Sequence, residues 1–288
     1  MTKEVWTEAK FQRLIKEGRG QGELADYRPW IEIQTYRSQG RSSRVMGWKT
    51  GRIHHFLSDN ELRYFYLLDF EDAVIDIREH FPLFDLKEVL NDVSDIDLAK
   101  YRDKESGTPH VFTTTFLITL QDSNGEPYHV ARNMKQSHEL GKSRTLERFE
   151  ILRRYFKRKE IDWGMVTQKE LPMARVKNIE WIHDAKNLDG KTGITDGELV
   201  RLIVLLREQL IGNAEPIRAM TSAYDRQLNL EPGSGLLFFR HLIATKEIEV
   251  NMNEPIDLGQ PANLLIQAIN GGRGECREGI DRQSTTPV

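Results

Sequence analysis

The chain has almost no cysteine: Cys276 is the only one in 288 residues. A disulfide framework and a multi-cysteine zinc site within one chain are both excluded, and a reducing cytoplasm is the expected setting. Long apolar runs are missing too. The longest, near 199–210, is broken by Arg201, Arg207 and Glu208, well short of the roughly 18 apolar residues a membrane span requires. The opening MTKEVWTEAK carries acids and no apolar core, so a signal peptide is not expected. There is no Walker-type phosphate loop. Pro232-Gly233-Ser234-Gly235 comes nearest, but no Lys-Ser or Lys-Thr follows it. A global basic field is absent, the net charge being −3.

What is present fits a globular protein of two ordinary domains, 39% hydrophobic and 30% charged. The charge is unevenly spread. Residues 41–55 hold Arg41, Arg44, Lys49 and Arg52 with no acid. Residues 141–160 hold eight Lys or Arg, Lys142 and Arg144 among them, against three Glu. Such patches suit a polyanion inside a near-neutral protein. Solvated helix and loop faces account for either patch equally well.

In chain order, 5–17 reads as a short amphipathic helix, and 27–35 and 43–48 as strands around a basic loop at 37–42. Ser58 caps a helix over 59–71, with Glu61 completing a capping box. A strand at 73–78 is broken by His80-Phe81-Pro82-Leu83, and 95–110 reads as surface loop. Residues 143–160 form the clearest helix, followed by a strand at 161–167 and a helix at about 173–186. This order implies a mixed α/β sheet with helices packed on it. Asn187–Gly193 reads as a linker. Beyond it come helices at 195–210, with a second Thr195/Glu198 capping box, at 214–228 and at 233–245, then an alternating strand at 246–252. Three helices with a small strand pair suit a winged helix, or a plain helical bundle. From about 270 the chain lacks periodicity and reads as disordered.

The stretch that organises the first domain is 111–135. Residues 111–120 are apolar and β-branched, Asp122-Ser123-Asn124-Gly125 signals a turn, and 127–135 alternates up to Lys135. Asn133 shares a face with Lys135. A Lys closing a strand is also an ordinary strand end. A helix carboxylate such as Glu61, an acid on one strand and a Lys on the next form the arrangement of metal-dependent nucleases. Here the first strand supplies no acid, since 106–121 contain neither Asp nor Glu. The adjacent His54 and His55 point to opposite faces of a strand and read as structural.

Several blocks, in order, resemble the TnsA family, the endonuclease subunits of heteromeric cut-and-paste transposases. They are IKEGRGQG at 15–22, Pro29-Trp30, KTGRIHHFLSDNEL at 49–62, DIREHFPL at 76–83, RTLE at 144–147, Arg153-Arg154-Tyr155 and NIEW at 178–181. The resemblance covers roughly 8–185. It implies an α/β restriction-endonuclease-like N-terminal domain (1–187), a mostly helical, winged-helix-like C-terminal domain (188–270) and a tail (271–288). It further implies Mg²⁺-dependent cleavage of the 5′ strands at transposon ends, with Mn²⁺ as substitute. The implied partners are transposon-end DNA, the TnsB transposase and the ATP-dependent regulator TnsC, in the bacterial cytoplasm.

By the same resemblance the catalytic positions are Glu61, Thr115, Asn133 and Lys135, with Glu61 and the Met134 carbonyl as metal ligands. The two basic patches supply the candidate DNA contacts, Arg41, Arg44, Lys49, Arg52, Lys142 and Arg144. Thr115 stands where the family pattern has Asp, and a hydroxyl is a poorer Mg²⁺ ligand than a carboxylate. An active endonuclease, a disabled one retained as a DNA-binding and bridging subunit, and an engineered substitution at 115 all remain open. A strict two-residue turn would set Thr115 opposite Met134. The family reading instead expects an odd-numbered loop or a bulge, which puts Thr115 on the face of Asn133 and Lys135.

Overall fold

The computed structural model describes residues 5–34, 41–92 and 95–270. The expected loop at 37–42 lies largely outside them, and the expected tail wholly outside. The chain divides into two compact units, 1–176 and 177–288. The division falls ahead of the 187–193 linker on which the sequence placed it.

The first unit begins with α1 (Glu8–Lys16), whose first turn is capped by the Thr7 hydroxyl. β1 (Ser43–Met46) and β2 (Ile53–Phe56) form an antiparallel pair. The expected strand at 27–35 does not form among the described residues. Tyr27 and Trp30 are instead buried by tertiary packing, and the Tyr27 hydroxyl donates to the Glu79 carbonyl (3.0 Å). Next comes α2 (Asp59–Phe70). Its capping box forms as expected: the Glu61 N–H donates to Ser58 Oγ (3.3 Å), and the Leu57 N–H donates to the Glu61 carboxylate (2.7 Å).

A four-stranded sheet follows, in the order β3 (Val74–Pro82), β4 (Thr113–Gln121), β5 (Pro127–Met134), β6 (Asp162–Val166). Among the described residues, the short α3 (Leu86–Val89) and a 3₁₀ turn at Leu98–Tyr101 lie between β3 and β4. The pairings are antiparallel except β5–β6, which α4 (Ser143–Arg158) connects as a crossover helix. The sheet is packed on both sides. Leu117 and Ala131 meet Phe149, Leu152 and Phe156 of α4. Phe116 meets Phe56 of β2 and Tyr64 of α2.

Two expectations need correcting here. β3 does not break at His80; it runs on and pairs Phe81 with Thr114 and Pro82 with Thr113. The interruption is confined to the backbone of His80, at φ +50°, a region costly for a residue with a side chain. The 95–110 segment is not merely surface loop, because Tyr101 is buried against Phe112.

α5 (Met173–His183) spans the division between the units. The second unit contains α6 (Asp196–Leu210), α7 (Ile217–Gln227), α8 (Ser234–Ala244), β7 (Ile248–Val250), α9 (Ala262–Leu265) and β8 (Ile266–Ile269), with β7 and β8 antiparallel. Leu206, Leu210, Ile217, Phe238, Phe239 and Leu242 are fully or nearly fully buried. Asp225 on α7 accepts from the Gly233 and Gly235 N–H groups at the start of α8, both at 2.7 Å. Gly235 is required there, since a Cβ would lie 2.8 Å from the Thr221 carbonyl oxygen. The Thr195 capping box does not form: Thr195 precedes α6 without a bond from its side chain. Accordingly Ser58→Ala is expected to cost about 1 kcal/mol and Thr195→Ala only a few tenths, as read by urea unfolding of each variant.

Candidate active site

One end of the sheet sets Thr115 and Asn133 side by side in a row with His80 and Met165. β3 and β4 pair Glu79 with Phe116 and Phe81 with Thr114, which sets His80 beside Thr115. Gln121 pairs with Pro127, so the connection comprises residues 122–126 and is odd-numbered. Continuing the β4–β5 register past Phe116↔Arg132 sets Thr115 beside Asn133. Asn133 in turn pairs with Met165 on β6. The odd loop expected from the resemblance is therefore present, and Thr115 shares a face with Asn133.

Hydrogen bonds tie this row together. Asn133 Nδ2 and the Met134 N–H both donate to Thr115 Oγ1, at 3.3 and 3.1 Å. Asn133 Oδ1 accepts from the Thr114 hydroxyl (2.9 Å) and from the Trp163 indole (2.8 Å). Both lone pairs of that oxygen are thus in use, and only one amide hydrogen of Asn133 is left over. Asn133 is buried and can donate, but its oxygen is not open to ligate a cation. Sequence reasoning missed Trp163 as the residue that locks it. Asn133→Leu strands the indole of Trp163, whereas the Thr114 hydroxyl can turn to the Arg132 carbonyl oxygen at 3.3 Å. A loss of about 1–3 kcal/mol is expected in urea unfolding, the cost of one unmade bond.

Glu61 reaches the row from the first turn of α2. His80 Nε2 lies 4.0 Å from Glu61 Oε2 and 3.1 Å from the His55 carbonyl oxygen. Lys135 follows β5. Its N–H donates to the Val166 carbonyl (3.1 Å), and its half-exposed ammonium lies 3.5 Å from Glu139 Oε2. Among the described residues, no three His, Cys, Asp or Glu side chains come together as a metal site.

Behind the row lies a buried charge cluster that the sequence did not announce. The Glu79 carboxylate is fully buried and receives Arg52 in a fork, at 2.9 and 2.6 Å. It also receives the His55 N–H at 3.0 Å, and His54 Nδ1 lies 2.8 Å away. Burial alone would push this carboxyl up, but His54 and Arg52 together hold it well below the usual carboxylate range. His54 is thereby structural, as its strand position implied. Arg52, however, was expected on DNA. It is 8% exposed and committed to Glu79, so it is not available to a phosphate.

The basic helix face is also altered by its surroundings. Arg154 pairs with Asp95 and Glu150, Arg158 with Asp92, and Lys159 with Asp85. Arg153 and Arg154 hold the Glu150 carboxyl down to about 2. Much of the local positive charge on α4 is matched by acids from residues 85–95. Lys142 is exposed and lies 3.4 Å from Glu139, and Arg144 is exposed at the start of the helix. Arg41 and Arg44 are exposed near β1, and Lys49 is half-buried, its N–H donating to Asp69.

Fold and site together define a mixed α/β unit with a carboxylate, an amide and a lysine at one sheet end, followed by a mostly helical unit. Residues 71–168 match the family described as TnsA-like endonuclease N terminal, and residues 170–252 the one described as TnsA endonuclease C terminal. The chain is 35% identical over 266 residues to the Transposon Tn7 transposition protein TnsA of Escherichia coli, covering 92% of this chain and 93% of that protein. The chain belongs to the TnsA family and is a TnsA-like transposase subunit. No helix among the described residues is long and apolar enough to cross a membrane.

Proposed function

We propose that this subunit acts with TnsB at transposon ends and nicks the 5′ strands from the row Glu61, Thr115, Asn133 and Lys135. TnsC is the regulator it answers to, and the first unit serves as a restriction-endonuclease-like scaffold. The observation that carries the reading is the shared face of Thr115, Asn133 and the Lys135 end of β5, with Glu61 one residue, His80, away. The second unit is read as winged-helix-like, supported by α6, α7 and α8 followed by the β7–β8 pair. Arg41, Arg44, Lys49, Lys142 and Arg144 remain the proposed contacts to DNA phosphates. Binding through them is expected to weaken steeply with salt.

The donor set has one carboxylate where the family pattern has two. Mg²⁺ is commonly held by one or two carboxylates together with substrate phosphates. Glu61 and the Met134 carbonyl are the groups that would hold such an ion, alongside oxygens of the scissile phosphate. The chemistry it would supply is neutralisation of charge at the phosphate and a lowered pKa for the attacking water. Asn133 fixes the Thr115 side chain and the end of β5. Lys135 places a positive charge beside the phosphate, provided it leaves Glu139.

A second reading keeps the subunit as a DNA-binding bridge with its nuclease disabled. It draws on the Thr115 hydroxyl, whose oxygen is already taken up by two protein donors. The test that bears on the first reading is Glu61→Gln, assayed with TnsB, TnsC, donor DNA and Mg²⁺ or Mn²⁺. The 5′ nicks should fall by about 100-fold or more while the TnsB-dependent 3′ nicks persist. Equal 5′ nicking by this variant would rule Glu61 out as a ligand.

A further inference from the structure

Beside the catalytic row the first unit carries a second feature that no motif announced. A cleft of about 710 Å³ opens between α1, the segment around Trp30 and the start of β4. Among the described residues its lining includes Lys10, Arg13 and Arg148 as cations and Trp6, Trp30 and His110 as rings, and none of those described is acidic. Lys10 and Arg13 lie three apart on α1 and so share a face. Arg13 is 62% exposed, and its contact with Glu17 is loose, at 3.7 Å.

The ring wall is held in place. The Trp6 indole N–H donates to the Pro109 carbonyl (2.8 Å), and its ring meets Trp30 edge-on at 6.1 Å. Arg148 sits over the Phe112 ring at 4.7 Å. The cleft also reaches Thr113. Thr113 precedes Thr115 by two residues on the same strand, hence on the same face and about 7 Å away.

We propose that this cleft takes a single strand of the DNA running away from the catalytic row. Its phosphates lie on Lys10, Arg13 and Arg148, and a base lies against Trp6. The inference rests on the DNA-cleaving reading above. Charge complementarity selects the occupant, since three cations gathered along one cleft match a phosphodiester chain. Cations interleaved with aromatic rings are the pattern of single-strand grooves, in which bases stack and phosphates are tracked. The volume falls in the range that encloses a drug-sized molecule. It admits a nucleotide or two and excludes a duplex. An enzyme that cuts at the border between two DNAs gains from a hold on the strand it is about to free.

The test uses the full chain with two fluorescein-labelled probes, oligo(dT) and a blunt duplex, read by anisotropy over a series of NaCl concentrations. In the Lys10→Gln/Arg13→Gln double variant, oligo(dT) affinity should fall about tenfold at low salt. Its log–log salt slope should shrink by about 1.4, at about 0.7 per lost phosphate contact. α1 buries no residue completely, so the fold should be spared; the thermal midpoint checks this. Lys10→Arg/Arg13→Lys should restore the slope. Trp6→Leu should weaken oligo(dT) about tenfold with the slope unchanged, and duplex binding should move less than threefold in every variant. Unchanged oligo(dT) affinity and slope in the double variant would overturn the proposal and hand the cleft to a protein occupant. So would failure of the unsubstituted chain to bind oligo(dT). Neither result touches the catalytic row, which nick mapping reports separately.

Discussion

Thr115→Asp is expected to raise 5′-strand nicking by this protein by at least about 100-fold, and to lower the Mg²⁺ concentration needed for it. Groups that only support a metal's ligands are worth about 10–100-fold in affinity or activity, and the proposed reading makes position 115 a direct ligand. The surroundings already suit a carboxylate. Asn133 Nδ2 and the Met134 N–H both aim at the atom that Thr115 Oγ1 now occupies. One oxygen of an aspartate would take over those bonds and leave the other free to act as a ligand. Thr115 itself cannot do both, because its hydroxyl has one oxygen and no charge. The rate is measured on labelled donor ends over a Mg²⁺ series. A rate for the Asp variant no higher than that of the unsubstituted chain would show that another group fills the slot.

Glu79→Gln is expected to destabilise the first unit by about 3–5 kcal/mol, the range for removing one partner of a buried ion pair. It leaves Arg52 buried opposite a neutral amide and unpairs His54. Four of the five tryptophans, Trp6, Trp30, Trp48 and Trp163, lie within 1–176, so fluorescence in urea reports this unit. The same group predicts a pH dependence. The folded pKa of Glu79 lies below its unfolded value, near 4.3. Its stabilisation is therefore complete above that pH and is lost as pH falls towards the folded value. Urea midpoints of the unsubstituted chain should drop below about pH 4, and the Gln variant should lack that component. Equal midpoints for the two proteins at pH 7 would contradict the cluster's role.

The parts of the fold carried by local signals were legible. The capping box at Ser58 and Glu61, the apolar β4, the turn at Asn124-Gly125 and the period of α4 each depend on residues close in sequence. What was not legible depends on distant partners. Arg52 and Glu79 meet across β2 and β3, so a cation that looked solvent-facing is buried. The acids that neutralise α4 come from 85–95, on the far side of the β4–β5 hairpin. Tyr27 alternates like a strand residue, yet its hydroxyl is anchored to the Glu79 carbonyl instead. Thr195/Glu198 repeats the pattern of Ser58/Glu61, but Thr195 enters its helix at φ −69° where Ser58 enters at −152°. Only the Ser58 hydroxyl reaches the N–H three residues on. In the site, the positions came from a family resemblance, whereas the lock on Asn133 by Thr114 and Trp163 could be seen only once β4, β5 and β6 were in register.

The most direct measurement is strand-specific mapping of nicks at the transposon ends, with TnsB, TnsC, donor DNA and Mg²⁺ or Mn²⁺. The unsubstituted chain, Thr115→Asp, and Thr115→Asp combined with Lys135→Ala would be run side by side. The account predicts weak 5′ nicks from the first, strong ones from the second and none above background from the third, with 3′ nicks present throughout. Equal 5′ nicking by the first two, or nicking that survives loss of Lys135, would contradict it.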